Sequence, residues 1–270
     1  MKKYLFILIT MVFMLAGCGA SNESSGSVEK SKKNQEDTGI LAKIKEDGVI
    51  NIGIEGVYPP FNYFDKDNKL IGFDVDIANE ITKRMGVKPN YVPTPWDTII
   101  GGLLTKKYDI ILSSMAITDE RKQKVDFTEP YYHTGAQLFI NKDNKGIKDP
   151  EKDIKGKKIG VAIGTTFEEK ATELGANVTT YKSDLLTFQD LANKRVEGVL
   201  TDKAVGSRLI KEQNYPFKPV GDMILKDAAG IALNKNEEAL KSEINKHLKA
   251  MMEDGTYAEI SKKWFGEDIR

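Results

Sequence analysis

The sequence predicts an α/β fold arranged in two lobes, and three observations carry that reading. Short β-branched apolar runs of the buried-strand kind alternate with stretches of helical periodicity. The alternation restarts after Lys142, so the chain holds two such units. No long linker separates them.

The elements follow in order. "VINIGI" at 49–54 reads as a buried strand, broken by "YPPF" at 58–61. "KLIGF" leads to Asp74, which is placed to cap a helix. On that helix Val75, Ile77, Ala78, Ile81 and Met85 share one face, and Gly86 ends it. "YVPT" reads as a strand, and Asp97 opens a helix through Leu104. "YDIILS" at 108–113 is again a buried strand. In the second unit "KKIGVAI" at 157–163 is a strand and a helix runs from Thr166 to Leu174. "VTTY" is a strand, "LLTFQDLANKR" a helix, "EGVLT" at 197–201 a strand, and Lys203 to Glu212 a helix. "GIAL" at 230–233, a helix from Glu237 to Glu253 and a short helix ending near Trp264 complete the chain. "YYHTGAQLFI" and "DAAGIAL" have the Gly-containing, β-rich character of crossovers between the units. Periodicity does not say which unit the C-terminal helices join.

The N-terminal segment has a different make-up. Met1-Lys2-Lys3 is positive, and Tyr4 to Leu15 is apolar but too short to span a bilayer comfortably. The small residues Ala16 and Gly17 follow. That is the pattern of a secretory signal, with a never-cleaved anchor as the alternative. Cys18 is the only cysteine, and the small, polar and charged residues 19–38 after it read as a flexible tether. Lys+Arg and Asp+Glu balance at 40 each, so no basic excess points to nucleic acid or an anionic surface. One cysteine and two distant histidines give no metal-ligand spacing, and neither a metal nor a cofactor is expected. The chain has no Walker-type phosphate loop and no G-x-S-x-G elbow.

Ligands of open α/β sheets bind beyond the carboxyl ends of strands. Ser113 and Ser114 end one strand, and Arg121 follows in a first helical turn after Thr118. Gly164 ends another, and Thr165 and Thr166 open a helix. Each threonine has a glutamate three residues on, Glu168 and Glu169, as in a capping box. Such a helix end suits a carboxylate. Asp202 ends "GVLTD", Tyr58 and Phe61 follow the first strand, and Trp96 precedes a helix. A cation, an anion-binding helix end, an anion and apolar walls are what an α-amino acid needs. Plainer readings stand beside these. Arg121 lies among Asp119, Glu120, Lys122 and Lys124, as on a solvated helix face. Tyr58 and Phe61 suit a core or a turn, and Trp96 suits a helix staple. Glu55 suits a cationic side chain, or is an exposed turn residue. Ser113, His133 and Asp202 are the types a catalytic triad would use, although His133 falls in a crossover.

Five phrases together resemble the polar amino-acid-binding proteins of ABC transporters: "EGVYPPFNYFDKDNKLIGFDVDIANEI", "WDTIIGGLLTKKYDIILSSMAITDERKQKVDFTEPYY", "GTTFEE", "VLTD" and "EDGTYAEISKKWFG". The resemblance covers essentially all of residues 40–270. It implies a two-lobed type II periplasmic-binding-protein fold, with a hinge between two mixed-sheet α/β lobes. The first lobe would comprise 40–131 with 230–270, and the second 132–229. The resemblance also implies a monomer that binds an L-amino acid and delivers it to an ABC transporter permease. By the same resemblance Arg121 clamps the ligand α-carboxylate with help from Thr166, and Asp202 pairs with the α-ammonium. Ser114, next to Ser113, supplies a backbone or hydroxyl contact, and Tyr58 and Trp96 line the side-chain pocket. Many members carry Ser or Thr at the position of Ala116, which offers only its backbone N–H.

Several phrases look most like the cystine/cysteine-binding subgroup. Ser113-Ser114 instead of Asn-Gln is more typical of basic amino-acid binders, which leaves arginine, lysine, histidine or glutamine as alternatives. A dehydratase-like enzyme on the same fold is the alternative of another class. "LAGC" resembles the lipobox of bacterial lipoproteins. It implies a signal peptide over 1–17, lipidation of Cys18, a lipid-anchored linker over 18–39 and an extracytoplasmic membrane location, with a Gram-positive surface favoured.

Overall fold

The computed structural model describes residues 39–270. The signal segment, Cys18 and the linker up to residue 38 lie outside the described residues. Helix α1 (Ile40–Asp47) leads into β1 (Val49–Ile54). Strands β2 (Val57–Tyr58), β3 (Asn62–Phe64) and β4 (Leu70–Ile71) form a small sheet in that order. Then come α2 (Phe73–Met85), β5 (Lys88–Pro93), α3 (Trp96–Leu104), β6 (Ile110–Ile111), α4 (Asp119–Lys124) and β7 (Asp126–Phe127). Strand β8 (Tyr132–Asn141) crosses to β9 (Lys158–Ala162), α5 (Thr166–Glu173), β10 (Asn177–Tyr181) and α6 (Asp184–Ala192). Next are β11 (Gly198–Asp202), α7 (Lys203–Gln213) and the long β12 (Phe217–Ala229), which carries the chain back. Strand β13 (Ala232–Leu233), α8 (Glu238–Glu253) and α9 (Thr256–Phe265) follow.

Two five-stranded sheets result, ordered β5-β1-β6-β13-β7 and β10-β9-β11-β8-β12. In the first, β1 is parallel to β5 and β6, whereas β13 is antiparallel to β6 and β7. In the second, β9 is parallel to β10 and β11, whereas β8 is antiparallel to β11 and β12. Both sheets are mixed because the crossover strands return against the parallel βαβ units. The molecule therefore has two lobes, one on each sheet. Strand β13 and the packing of α8 and α9 on α2 put the C-terminal helices with the first sheet, which periodicity left open.

The cores follow the sequence pattern. Ile50 and Ile52 of β1 are buried with Ile77 and Ile81 of α2 and with Leu240, Ile244 and Leu248 of α8. Leu138, Ile140, Ile159, Val161 and Leu200 fill the second lobe. Each such side chain contributes roughly 1.5–3 kcal/mol by burial. No helix among the described residues is long and apolar enough to cross a membrane.

The expected cap at Asp74 is not found. Helix α2 begins at Phe73 with Gly72 before it, and Asp74 is buried inside the first turn. The "YPPF" turn is laid directly on the helix end. The Phe73 and Asp74 amides donate to the Pro60 and Phe61 carbonyls, at 3.0 and 2.8 Å. Gly72 has φ 139°, and a Cβ there would lie 2.1 Å from the Phe61 oxygen, so only glycine fits. With the backbone capping the helix, the Asp74 carboxylate is free for other partners.

A side-chain contact also joins the lobes outside the cleft. Arg208 of α7 donates to the Tyr63 hydroxyl of β3 at 2.8 Å, with its guanidinium carbon 5.1 Å from the Tyr63 ring centroid.

Candidate ligand-binding cleft

A single cleft is lined from both lobes by Tyr58, Trp96, Ser113, Ser114, Ala116, Arg121, Thr165, Thr166 and Asp202. Phe61 does not join them. Its ring is 1 % exposed and lies between Tyr58 and Tyr132, with centroids 5.4 and 5.0 Å away, and against Phe265. It backs the aromatic wall and does not face the cleft. Glu55 also lines the cleft, as do Thr134, Asp184 and Asp227, which carried no sequence signal of their own.

Arg121 is not on a solvated face. Thr118 caps the short α4, its hydroxyl accepting from the Arg121 amide at 3.2 Å. Asp119, Glu120, Lys122 and Lys124 are exposed, but Arg121 turns inward and is 8 % exposed. Its Nη1 donates to the Ala116 carbonyl at 2.9 Å, and its Nη2 crosses the cleft to the Gly164 carbonyl at 3.0 Å. The guanidinium carbon sits 5.3 Å from the Trp96 ring centroid, and Trp96 Nε1 donates to the same Gly164 carbonyl at 3.1 Å. Among the described residues Arg121 forms no ion pair within 4.0 Å. Burial lowers its pKa, while the charges of Glu169, Asp227 and Glu120 act against that.

Opposite stands the start of α5. The Thr165 hydroxyl accepts from the Glu168 amide at 3.2 Å and donates to the Ala162 carbonyl at 2.7 Å. The Glu168 carboxylate reaches back to the Gly164 amide at 2.6 Å, so the capping box closes one residue earlier than usual. The Thr166 hydroxyl donates to Asp227 of β12 at 2.6 Å. Burial raises the Asp227 pKa, with the Thr166 bond and the Arg121 charge moderating the rise.

The remaining charged groups are acids. Asp202 ends β11 and caps α7, accepting from the Ala204 and Val205 amides at 2.7 and 3.3 Å and from the Thr134 hydroxyl. Burial pushes its pKa up to about 6 against those bonds. Asp184 begins α6, and burial pushes it up to about 6 against a hydrogen bond from Thr201, with the Asp202 charge adding to the rise. Glu55 is pushed up to about 8 by burial and by the charges of Asp184 and Asp74.

The two serines are engaged within the first lobe. The Ser113 hydroxyl accepts from the Glu55 amide at 3.0 Å. Ser114 has φ 53°, a conformation that costs roughly 1–2 kcal/mol for a side-chain-bearing residue. There its amide donates to the Tyr131 hydroxyl at 3.0 Å and its own hydroxyl donates to Asp74 at 2.9 Å. Asp74 also accepts from Asn62 Nδ2 at 2.7 Å and from the Tyr131 hydroxyl at 2.7 Å, and Asn62 Oδ1 accepts from the Gly56 amide. This network fixes the loops that bear Glu55 and Ser114. His133 is exposed and does not line the cleft, so Ser113, His133 and Asp202 are not assembled as a triad.

Residues 50–267 match the bacterial extracellular solute-binding proteins, family 3. The chain belongs to this family. Its relatives include the L-cystine-binding protein TcyJ of Escherichia coli (strain K12). That protein is 38 % identical over 241 residues, covering 88 % of this chain and 91 % of TcyJ. The L-cystine-binding protein TcyA of Bacillus subtilis (strain 168) is 37 % identical over 273 residues, covering 100 % and 99 %. Among solved structures, an ancestral arginine-binding protein bound to glutamine superposes with a TM-score of 0.78 at 40 % identity, covering 82 % of this chain and 99 % of that one. Two lobes on two mixed sheets are thus the architecture this family 3 protein has in common with a solved amino-acid-binding protein.

Proposed function

We propose that this solute-binding protein captures an L-amino acid between its lobes, outside the cytoplasm, and delivers it to an ABC importer. The lobes comprise residues 40–131 with 230–270, and residues 132–229. The observation that carries the reading is Arg121: a nearly buried guanidinium, stacked on Trp96, with carbonyl partners and no ion pair among the described residues. Desolvating a cation without a counter-charge is costly, so the site suits an anion that arrives with the ligand.

In this reading the ligand α-carboxylate meets Arg121, Thr165 and Thr166, aided by the positive end of α5. The α-ammonium meets Asp202. Tyr58 and Trp96 flank the side chain, and Ala116 offers its backbone beside Ser113 and Ser114. Arg121 and Tyr58 belong to one lobe, Thr166 and Asp202 to the other. A ligand that touches both stabilises the closed arrangement by its differential affinity for it. The closed form then docks on the permease. Cystine is the favoured ligand, since TcyJ and TcyA are L-cystine-binding proteins. A basic amino acid is the second reading, favoured by the cleft's acids: Glu55, Asp184, Asp202 and Asp227 face the single cleft cation, Arg121. The protein acts as a monomeric binder and not as an enzyme, tethered by a lipid on Cys18 to what is best read as a Gram-positive surface.

Thermal unfolding with cystine, cysteine, arginine, lysine, histidine and glutamine tests this. A specific ligand at about a thousand times its Kd adds roughly 4 kcal/mol, a rise on the order of ten degrees. Arg121→Met should abolish the rise while leaving the unliganded melt in place. A flat response of ligand-stripped protein across the panel overturns the proposal.

A further inference from the structure

Residues 266–270 do not trail away from α9; they fold back onto the start of β8. Gly266, with φ 80°, ends α9 and turns the chain. Ser261, on α9 and fully buried, clasps the turn from inside. Its hydroxyl donates to the Glu267 carbonyl at 2.7 Å and accepts from the Ile269 amide at 3.1 Å. Arg270 pins the far end to the first lobe. Its Nη1 donates to the Met252 carbonyl of α8 at 3.2 Å and its Nε to Asp268 at 2.9 Å, with the guanidinium carbon 5.7 Å from the Tyr257 ring centroid. Phe265 anchors the near end, its ring centroid 5.3 Å from that of Phe61 and 5.2 Å from that of Phe73. The segment so held meets the crossover strand: the His133 amide donates to the Ile269 carbonyl at 3.3 Å. His133 is the second residue of β8, the strand by which the chain leaves the first lobe.

Strand β11 pairs with β8 only from Ala136 onward, so the first residues of β8 rely on β12 and on this segment. Gly135 is packed so closely on β12 that a Cβ there would lie 2.0 Å from the Leu225 oxygen. His133 is thus tied to the first lobe and Gly135 to β12, which leaves Thr134 as the link between them. A hinge bends at the few residues whose φ and ψ nothing else holds. We infer that residues 266–270 form a strap over the hinge, a further backbone tie between the lobes beside β8 and β12. The strap stabilises the arrangement seen here, in which Trp96 and Arg121 both reach Gly164 across the cleft. None of residues 266–270 lines the cleft, so the strap governs how easily the lobes part and not which solute they hold.

The test compares the wild-type chain with Ser261→Ala, which removes both bonds of the clasp. Hydrogen exchange and small-angle scattering are first read without amino acid. In Ser261→Ala the His133 amide should exchange about fivefold faster or more, while the Ile52 and Ile159 amides in the two cores keep their rates. The radius of gyration of the unliganded protein should rise as the lobes part. Calorimetric titration with L-cystine, L-arginine and L-glutamine should then show every ligand that binds weakened by one common factor, roughly fivefold. Unchanged exchange at His133 overturns the strap, as does an unchanged radius or a loss confined to one ligand. Faster exchange at Ile52 as well overturns it too, because the segment then serves only the stability of the first lobe. Should none of the three amino acids bind the wild type, the amino-acid reading falls, while exchange and scattering still decide the strap. Should Ser261→Ala fail to fold, Ile269→Pro, which takes away the amide that Ser261 receives, must give the same exchange and scattering results.

Discussion

Asp74 in the first lobe and Asp184 in the second are both buried acids at the start of a helix, and desolvation pushes both up to about 6. Their surroundings differ. The Asp74 carboxylate accepts from Asn62, Ser114 and Tyr131, and those groups in turn hold the loops behind the cleft. Asp184 faces the cleft with fewer partners: only the Thr201 hydroxyl and its own backbone amide act against its rise. Burial and a raised pKa therefore do not separate a structural acid from one available to a ligand; the roll of partners does.

The largest expected effect breaks the comparison if it fails. Asp74→Ala removes the acceptor that the buried Asn62 and Tyr131 and the half-buried Ser114 share, and should cost about 3 kcal/mol or more in urea unfolding. Asp184→Asn should change stability by less than about 1 kcal/mol, because it relieves repulsion and the amide oxygen can still accept from Thr201. Equal losses would put Asp184 in the framework.

A smaller effect lies in the pH dependence. An acid whose pKa rises from its ordinary 3.8 to about 6 in the fold, as for Asp74, Asp184 and Asp202, binds its proton more tightly when folded. Its contribution to stability is full below about pH 4 and is lost as pH rises through the folded pKa. Glu55 extends that loss to about 8. Unfolding free energy without added amino acid should therefore decline from weakly acidic to neutral pH on account of these groups. A saturating amino acid, whose α-ammonium prefers the ionised Asp202 carboxylate, should flatten the decline. Melts across this range with and without ligand decide the matter.

Much of this was legible in the sequence. The switch between strand and helix periods marked both sheets, and the strand-end rule gathered Ser113, Arg121, Thr165, Thr166 and Asp202 around one cleft. What was hidden depends on partners remote in the chain. Asp74 looks like a cap until Gly72 brings the Pro60 and Phe61 carbonyls onto the helix end. Phe61 looks like cleft lining until Tyr132 and Phe265 enclose it. Asp227 stands on a crossover strand, where period-two reading gives no reason to prefer it to its neighbours. Asp184 has the sequence setting of an ordinary helix start, and only its burial at the cleft marks it out.

The Tyr63–Arg208 contact has a wider consequence. It bridges the lobes without touching the cleft, so its strength adds to how readily they stay together whatever solute lies between them. Tyr63→Phe, which loses one hydrogen bond of about 1 kcal/mol, should weaken every amino acid by the same factor of roughly five, read as parallel shifts in Kd. Tightness and choice of cargo then have separate addresses in this molecule. A lineage could retune its uptake threshold to a richer or poorer medium by editing one surface tyrosine, leaving untouched the chemistry that decides what is taken up.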